Sequence, residues 1–238
     1  HCARGGSDRH PIVHAARASQ RLQSHVLEQQ PLETLRCAER LRALARPGDR
    51  AMARKPNFAF HAGVGAVYFP AIDSLPALAA HLRADHARWL FFSSAEAQLR
   101  PSMAFLLDTT AAVPGLTRRA FERSAANLDG LDWQRLAVLY EAGPEFGVEP
   151  AWWTDPREHA LHVLRGKAAT LPDARLQLQL ARAEMLSLDL SRTQAAWRTA
   201  WRIDPAGVGA WMARYDGDTL RAYYDAAGSF VTTLSTNT

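Results

Sequence analysis

The sequence predicts an α/β layer followed by an all-helical region, and three observations predict it. Hydropathic periodicity changes near residues 47 and 150. A continuous apolar run, Trp89 to Phe92, lies between helix-like stretches, as in a strand buried on both faces. Beyond residue 150 strand signals fade and capped, Leu- and Ala-rich helical segments follow one another. These breaks divide the chain into an N-terminal helical segment over 1–46, an α/β domain over 47–150 and a helical-hairpin domain over 151–238.

In the first segment Leu35, Ala38, Leu41 and Leu44 recur at three-residue steps after Leu32, marking an amphipathic helix that ends at Pro47-Gly48 with Cys37 beside its stripe. RAMARKPNFAF, residues 50–60, reads as a short strand, a proline break and a second extended piece. AVYFP is a further extended segment. Ser74 is placed to cap a helix whose apolar face is Leu75, Leu78, Ala79 and Leu82. After the Trp89–Phe92 strand, residues 96–107 suit another helix, Pro114-Gly115-Leu116 a turn, and Arg135–Ala142 a last strand. Strand, helix, strand in that order argue for a small sheet with flanking helices.

In the last segment Asp155-Pro156 with Glu158 has the form of a capping box, with Gly166 placed to stop the helix. Leu171–Leu188 is long and periodic. Ser191 with Gln194 gives a second box, leading to a helix with Ala196, Trp197, Ala200 and Trp201 on one face and a stop at Asp204-Pro205. Two shorter helices are expected over 206–215 and 218–227. Ala181, Trp197, Ala200 and Pro205 are similar in type and spacing to a tetratricopeptide unit, so the fold class is an α/β N-terminal layer followed by an α-helical, tetratricopeptide-like C-terminal region. One unit matches, which suits a hairpin packed on the α/β part better than a free solenoid.

Composition bounds function. The 238 residues are 47% hydrophobic and 22% charged, with mean hydropathy −0.23, which excludes a disordered or fibrous chain. No apolar run approaches the length of a bilayer span. Two cysteines, Cys2 and Cys37, neither frame a disulfide scaffold nor stand at zinc-binding spacing. The net charge of +4 is uneven: residues 1–56 carry +6, residues 57–150 carry −3 and residues 151–238 carry +1. The basic N-terminus lacks the interleaved aromatics of a single-strand binder, so nucleic acid is not an expected partner.

Arg54 and Lys55 before Pro56, with His61 and Gly63 after, form the densest mixture of basic groups and flexible backbone, a candidate substrate or phosphate contact against the plainer reading of a strand end at the surface. His159 and His162 stand at i and i+3 after Glu158, close enough to share a metal, but an exposed helix face is the preferred reading and no metal site is assigned. His81 and His86, five apart, diverge. Ser93-Ser94 lacks a nucleophile elbow. The tryptophans at 152, 153, 197, 201 and 211 suit a core better than a sugar platform. With no phosphate loop or dinucleotide fingerprint, no cofactor and no catalytic residue is assigned.

From Pro31 to Tyr140, ordered landmarks resemble a known family. A helix leads through Pro-Gly-Asp into a strand in RPGDRAMARKPNFAFHAG, then come AVYFP, a leucine-rich helix, WLFFSS, an Arg-Pro helix with a leucine pair in LRPSMAFLLD, and a Pro-Gly-Leu step to a closing pair of strands ending in RLAVLYEA. This run resembles the soluble C-terminal portion of bacterial membrane glycosyltransferases related to the protein mannosyltransferases and aminoarabinose transferases. The resemblance implies a non-catalytic extracytoplasmic domain on the periplasmic side. The catalytic carboxylate and the lipid-phosphate sugar donor would belong to a membrane part preceding His1, an upstream part that the absence of an initial methionine also leads us to expect. Implied partners are a lipid-linked sugar or glycan acceptor, through the whole enzyme, the membrane, and a protein at the helical region. The alternative is a free-standing periplasmic tetratricopeptide-like module that binds a protein partner.

Overall fold

A computed structural model of the chain describes residues 31–72, 74–128 and 130–214, with side chains to residue 210. Cys2, most of the 1–46 segment, the Trp211 side chain and the helix expected over 218–227 lie outside the described residues.

One five-stranded mixed sheet organises the first part: β1 (Arg50–Ala53), β2 (Gly65–Tyr68), β3 (Trp89–Ser93), β4 (Leu116–Leu128) and β5 (Leu131–Ala142), in spatial order β2-β1-β3-β5-β4. β1 runs parallel to β2 and β3, while β5 is antiparallel to both β3 and β4. The pleat sorts side chains by face. Met52, Leu90, Phe92 and Val138 join one apolar cluster, whereas Ala51, Trp89, Phe91 and Leu139 join another. Because β3 is covered on both sides, all five of its residues are buried. This is why it reads as a continuous apolar run rather than an alternating one.

Helices α1 (Leu32–Leu44) and α2 (Pro56–Ala62) cover one face through Cys37, Leu41 and Phe58, whose ring stacks on Phe91 at 4.0 Å. The described end of the N-terminal segment is thus part of the α/β layer. α3 (Leu75–Ala84) covers the other face with the expected Leu75, Leu78, Ala79 and Leu82. Burial, with nearby carboxylates, pushes the Cys37 thiol up to about 12, which makes it a packing residue.

Several expectations are corrected. Residues 56–62 are a helix and not a second extended piece: Pro56 opens its first turn, and Gly63 ends it in the left-handed conformation at φ 73°. Ser74 precedes α3 without a side-chain capping bond. The helix expected over 96–107 begins earlier and is split at Arg100-Pro101 into α4 (Ser94–Leu99) and a 3-10 helix (Pro101–Leu107). A Ser93–Glu96 capping box sets its start.

Among the described residues five helices follow: α5 (Ala151–Thr154), α6 (Pro156–Ala168), α7 (Ala174–Leu186), α8 (Leu190–Ile203) and α9 (Pro205–Arg214). Asp155 caps α6 as expected, accepting from the backbone N–H groups of Arg157 and Glu158. Gly166 does not stop that helix. It lies inside α6, where a Cβ would sit 1.8 Å from the Ala104 carbonyl oxygen, so glycine is required for the helix to pack on the 3-10 segment. The second expected box also moves: Asp189 caps α8, accepting from Arg192 N–H, and Ser191 is inside the helix. α7 and α8 meet through Ala181, Ala196, Trp197 and Ala200.

Candidate functional site

The structure separates the three basic candidates. Arg54 follows the carboxyl end of β1 and Lys55 is the exposed residue preceding α2, so these two share one edge of the sheet. His61 lies in the last turn of α2, exposed, with its carbonyl accepting from Arg42, and belongs to the opposite end of that helix. Ser93 and Ser94 are already engaged: Ser93 Oγ donates to Glu96 and accepts from Ala95 N–H, while Ser94 Oγ accepts from Leu136 N–H at 2.9 Å. Neither is a poised nucleophile.

A broad concavity lies elsewhere. The β4–β5 hairpin extends past the short β3, whose pairing with β5 covers only Ala137–Glu141, and the free half of the hairpin faces α6, α7 and α8 across a groove of about 1450 Å³. Phe121, Leu136 and Leu180 give it an apolar lining, and Arg123, Arg192 and Arg202 stand on its walls. Trp133 bridges the two sides: its indole N–H donates to the Ala169 carbonyl at 3.2 Å, and the Arg202 guanidinium lies 5.9 Å from its ring centroid. The hairpin edge is held in turn by α1. Arg36 Nη1 donates to the Arg123 carbonyl at 2.9 Å, and Ser124 Oγ donates to the buried Glu33 carboxylate at 2.5 Å.

A buried polar clamp closes one end of this groove. Asp108 follows the 3-10 helix. Its Oδ1 accepts from the Thr110 backbone N–H at 2.9 Å and from the Thr110 hydroxyl at 2.8 Å, and its Oδ2 lies 2.6 Å from His162 Nδ1. One turn further along α6, Arg165 makes a bidentate pair with Glu184 of α7, Nε–Oε1 2.6 Å and Nη2–Oε2 2.8 Å, and donates to Thr110 Oγ1 at 3.0 Å. Burial pushes the Asp108 carboxyl up, but the bonds from His162 and Thr110 and the charge of Arg165 outweigh it and leave Asp108 below the usual carboxylate value. The bond to Glu184 chiefly raises Arg165 further above its already high value.

The exposed face expected for His159 and His162 is therefore not found. His162 packs against Trp152 with ring centroids 4.6 Å apart, and His159 stacks on Trp153 at 4.3 Å. Among the described residues there is no group of three or more His, Cys, Asp or Glu that could hold a metal ion. Sequence reading missed Asp108 and Glu184, which lie 54 and 19 residues from the partners that reveal them. The one available signal was a lone aspartate straight after a buried leucine pair. No helix of the described residues is long and apolar enough to cross a membrane. Compared with protein-family models, curated proteins and solved structures, the chain matches none.

Proposed function

We propose that this chain is a non-catalytic, extracytoplasmic domain of a membrane-bound glycosyltransferase that draws sugar from a lipid-phosphate donor, and that it shapes the acceptor side or recruits a partner. One observation carries the reading: the landmarks of the resemblance between Pro31 and Tyr140 fall on the joints of a single folded layer. Pro47-Gly48-Asp49 is the turn from α1 into β1, where Asp49 Oδ2 accepts from Arg46 N–H at 3.0 Å and from the Trp89 indole at 2.8 Å. AVYFP holds Ala66–Tyr68 of β2, WLFFS is β3, the leucine pair ends the 3-10 helix, and the Pro-Gly-Leu step opens β4 of the closing strand pair. The small residues between α7 and α8, with Trp197 beside them, favour a tetratricopeptide-like hairpin.

The open reading frame upstream of His1 and an immunoblot of fractionated cells test this. The expected result is a membrane-fraction product well above 26.3 kDa, with several hydrophobic spans encoded upstream. A soluble product near 26.3 kDa would overturn it. The groove favours the second reading, a free-standing periplasmic module that holds a protein partner across the hairpin and helices.

A further inference from the structure

A second locus is assembled by the sheet topology. β1 leads through α2 outward to β2, and β2 returns through α3 across β1 to β3, with α2 and α3 on opposite faces. The chain therefore changes direction between β1 and β3, and in open α/β sheets the crevice at the carboxyl ends of strands flanking such a point is the habitual ligand position. Three charged side chains gather there. Arg54 follows β1, Glu96 follows β3, and Arg100 reaches back to the carboxyl end of β2, donating to the carbonyls of Phe69 at 3.1 Å and Pro70 at 3.0 Å. Its guanidinium also lies 4.5 Å from the Phe69 ring centroid.

The donors of this cluster are not all used. Among the described residues, two buried side-chain polar atoms have no hydrogen-bond partner, and they are Arg54 Nε and Arg100 Nη1. Arg54 Nε stands 3.4 Å from Glu96 Oε1, within ion-pair reach but not directed as a bond. Glu96 spends its other oxygen on Ser93, whose backbone N–H it accepts at 3.0 Å. Burial lowers Arg100 from its ordinary value, Glu96 opposes that, and the charge of Arg54 adds to it, so the two guanidinium groups feel each other. Two like charges with unspent buried donors are costly to hold together. One carboxylate is shared between them, and Lys55 adds a third cation at the exposed rim.

We propose that Arg54 and Arg100, with Lys55 at the rim, bind a phosphate group at the carboxyl ends of β1 and β3. Arg100 is the fixed floor, held by its carbonyl and ring contacts. Arg54, a third of whose side chain is exposed, is the face that solvent and ligand reach. A planar guanidinium fork matches phosphate oxygens, and an oxyanion on the exposed part of Arg54 would offset the repulsion between the two cations, whose unused Nε and Nη1 donors are buried. The site does not depend on the glycosyltransferase reading.

The test is titration of the full 238-residue chain with inorganic phosphate and with methyl phosphate, followed by calorimetry and by the side-chain Nε–H resonances of Arg54 and Arg100. We expect saturable movement of both resonances. Binding should weaken about tenfold in Arg54→Gln and further in Arg54→Gln/Lys55→Gln. Arg40→Gln, at an arginine 69% exposed and paired to Glu122, should bind within about twofold of the parent. Because Arg100→Gln removes the tie to Phe69 and Pro70 and could unfold the protein, Arg100→Lys is the second probe, keeping the charge and losing the fork. Phosphatidylcholine vesicles with and without phosphatidic acid distinguish a lipid-borne phosphate from a free one. Binding that chloride reproduces, resonances that do not move, or unchanged affinity in the Arg54 and Lys55 variants would overturn the proposal.

Discussion

The two halves of this molecule are held together by different physics. In the α/β layer the sheet is buried on both faces by large side chains, among them Trp89, Phe92, Phe105 and Leu139, each under 2% exposed. The cluster between α7 and α8 consists mainly of Ala174, Ala181, Ala196 and Ala200 with Trp197, and a bidentate ion pair of Arg165 with Glu184 ties α6 to α7. Apolar burial carries no titrating group, whereas a buried ion pair stabilises only while both partners are present and charged. The difference teaches that the layer can be weakened by removing volume and the helical region by removing one charge.

The largest effect is expected from volume. Phe92→Ala, at a ring fully buried between β3 and its covering helices, should cost about 3–5 kcal/mol and lower the thermal midpoint of the whole α/β layer. Arg165→Met should cost about 3 kcal/mol, because it strands the Glu184 carboxylate at 1% exposure. Its signature differs: hydrogen exchange should accelerate in α6–α8 while β1 and β3 keep their protection. Arg165→Met/Glu184→Gln should recover much of the loss, since an unpaired charge and not a lost contact is the main penalty. If both single variants unfold the two halves together, the distinction between them fails.

The same contrast explains what could be read in the sequence. β1, β3 and the whole face of α3 were legible because apolar burial leaves a repeat in the chain, whereas β4 was expected only through the resemblance, and on α1 only Ala38 and Leu41 of the expected stripe are buried, with Leu44 exposed. α2 escaped because seven residues, the first of them a proline, are too few to show a helical period against a background of phenylalanines. Gly166 was misread as a stop because its role depends on Ala104, 62 residues earlier, whose carbonyl leaves no room for a Cβ. The basic pair Arg54-Lys55 was visible as composition. Arg100 was not, since only the return of β3 and α4 brings it to the same sheet edge, and the clamp of Asp108, His162, Arg165 and Glu184 is likewise tertiary throughout.

Acid sharpens the comparison further. Asp108 titrates below its ordinary value of 3.8, so its contribution to stability is complete above the unfolded value and is lost as pH falls through the lowered folded one. Asp49 and Glu141 are also lowered: burial opposes the shift at Asp49, where bonds from Arg46 and Trp89 prevail, and the bond from Arg88 leads at Glu141. Both have more exposed side chains than Asp108, at 13% and 17% against 5%, and are better screened. Thermal midpoints measured across acid pH should therefore fall more steeply for the parent than for Asp108→Asn, in which that titration is absent. Parallel curves would show that Asp108 does not govern the acid response.

The smallest expected effect lies at the tip between α7 and α8, where a local conformation has not been matched by its residue. Leu188 holds φ at 61° and is 85% exposed, so it carries the left-handed penalty of an L side chain with almost no burial in return. Leu188→Gly removes that penalty and loses part of the gain to the greater freedom of glycine in the unfolded chain, leaving a net stabilisation of about 0.5 kcal/mol. Leu188→Ala keeps the Cβ and the strain, and its midpoint should match the parent. Loss of stability in both variants would mean that the leucine side chain packs on something that its exposure does not reveal, and the helical region would then draw on apolar burial at its tip as the α/β layer does throughout.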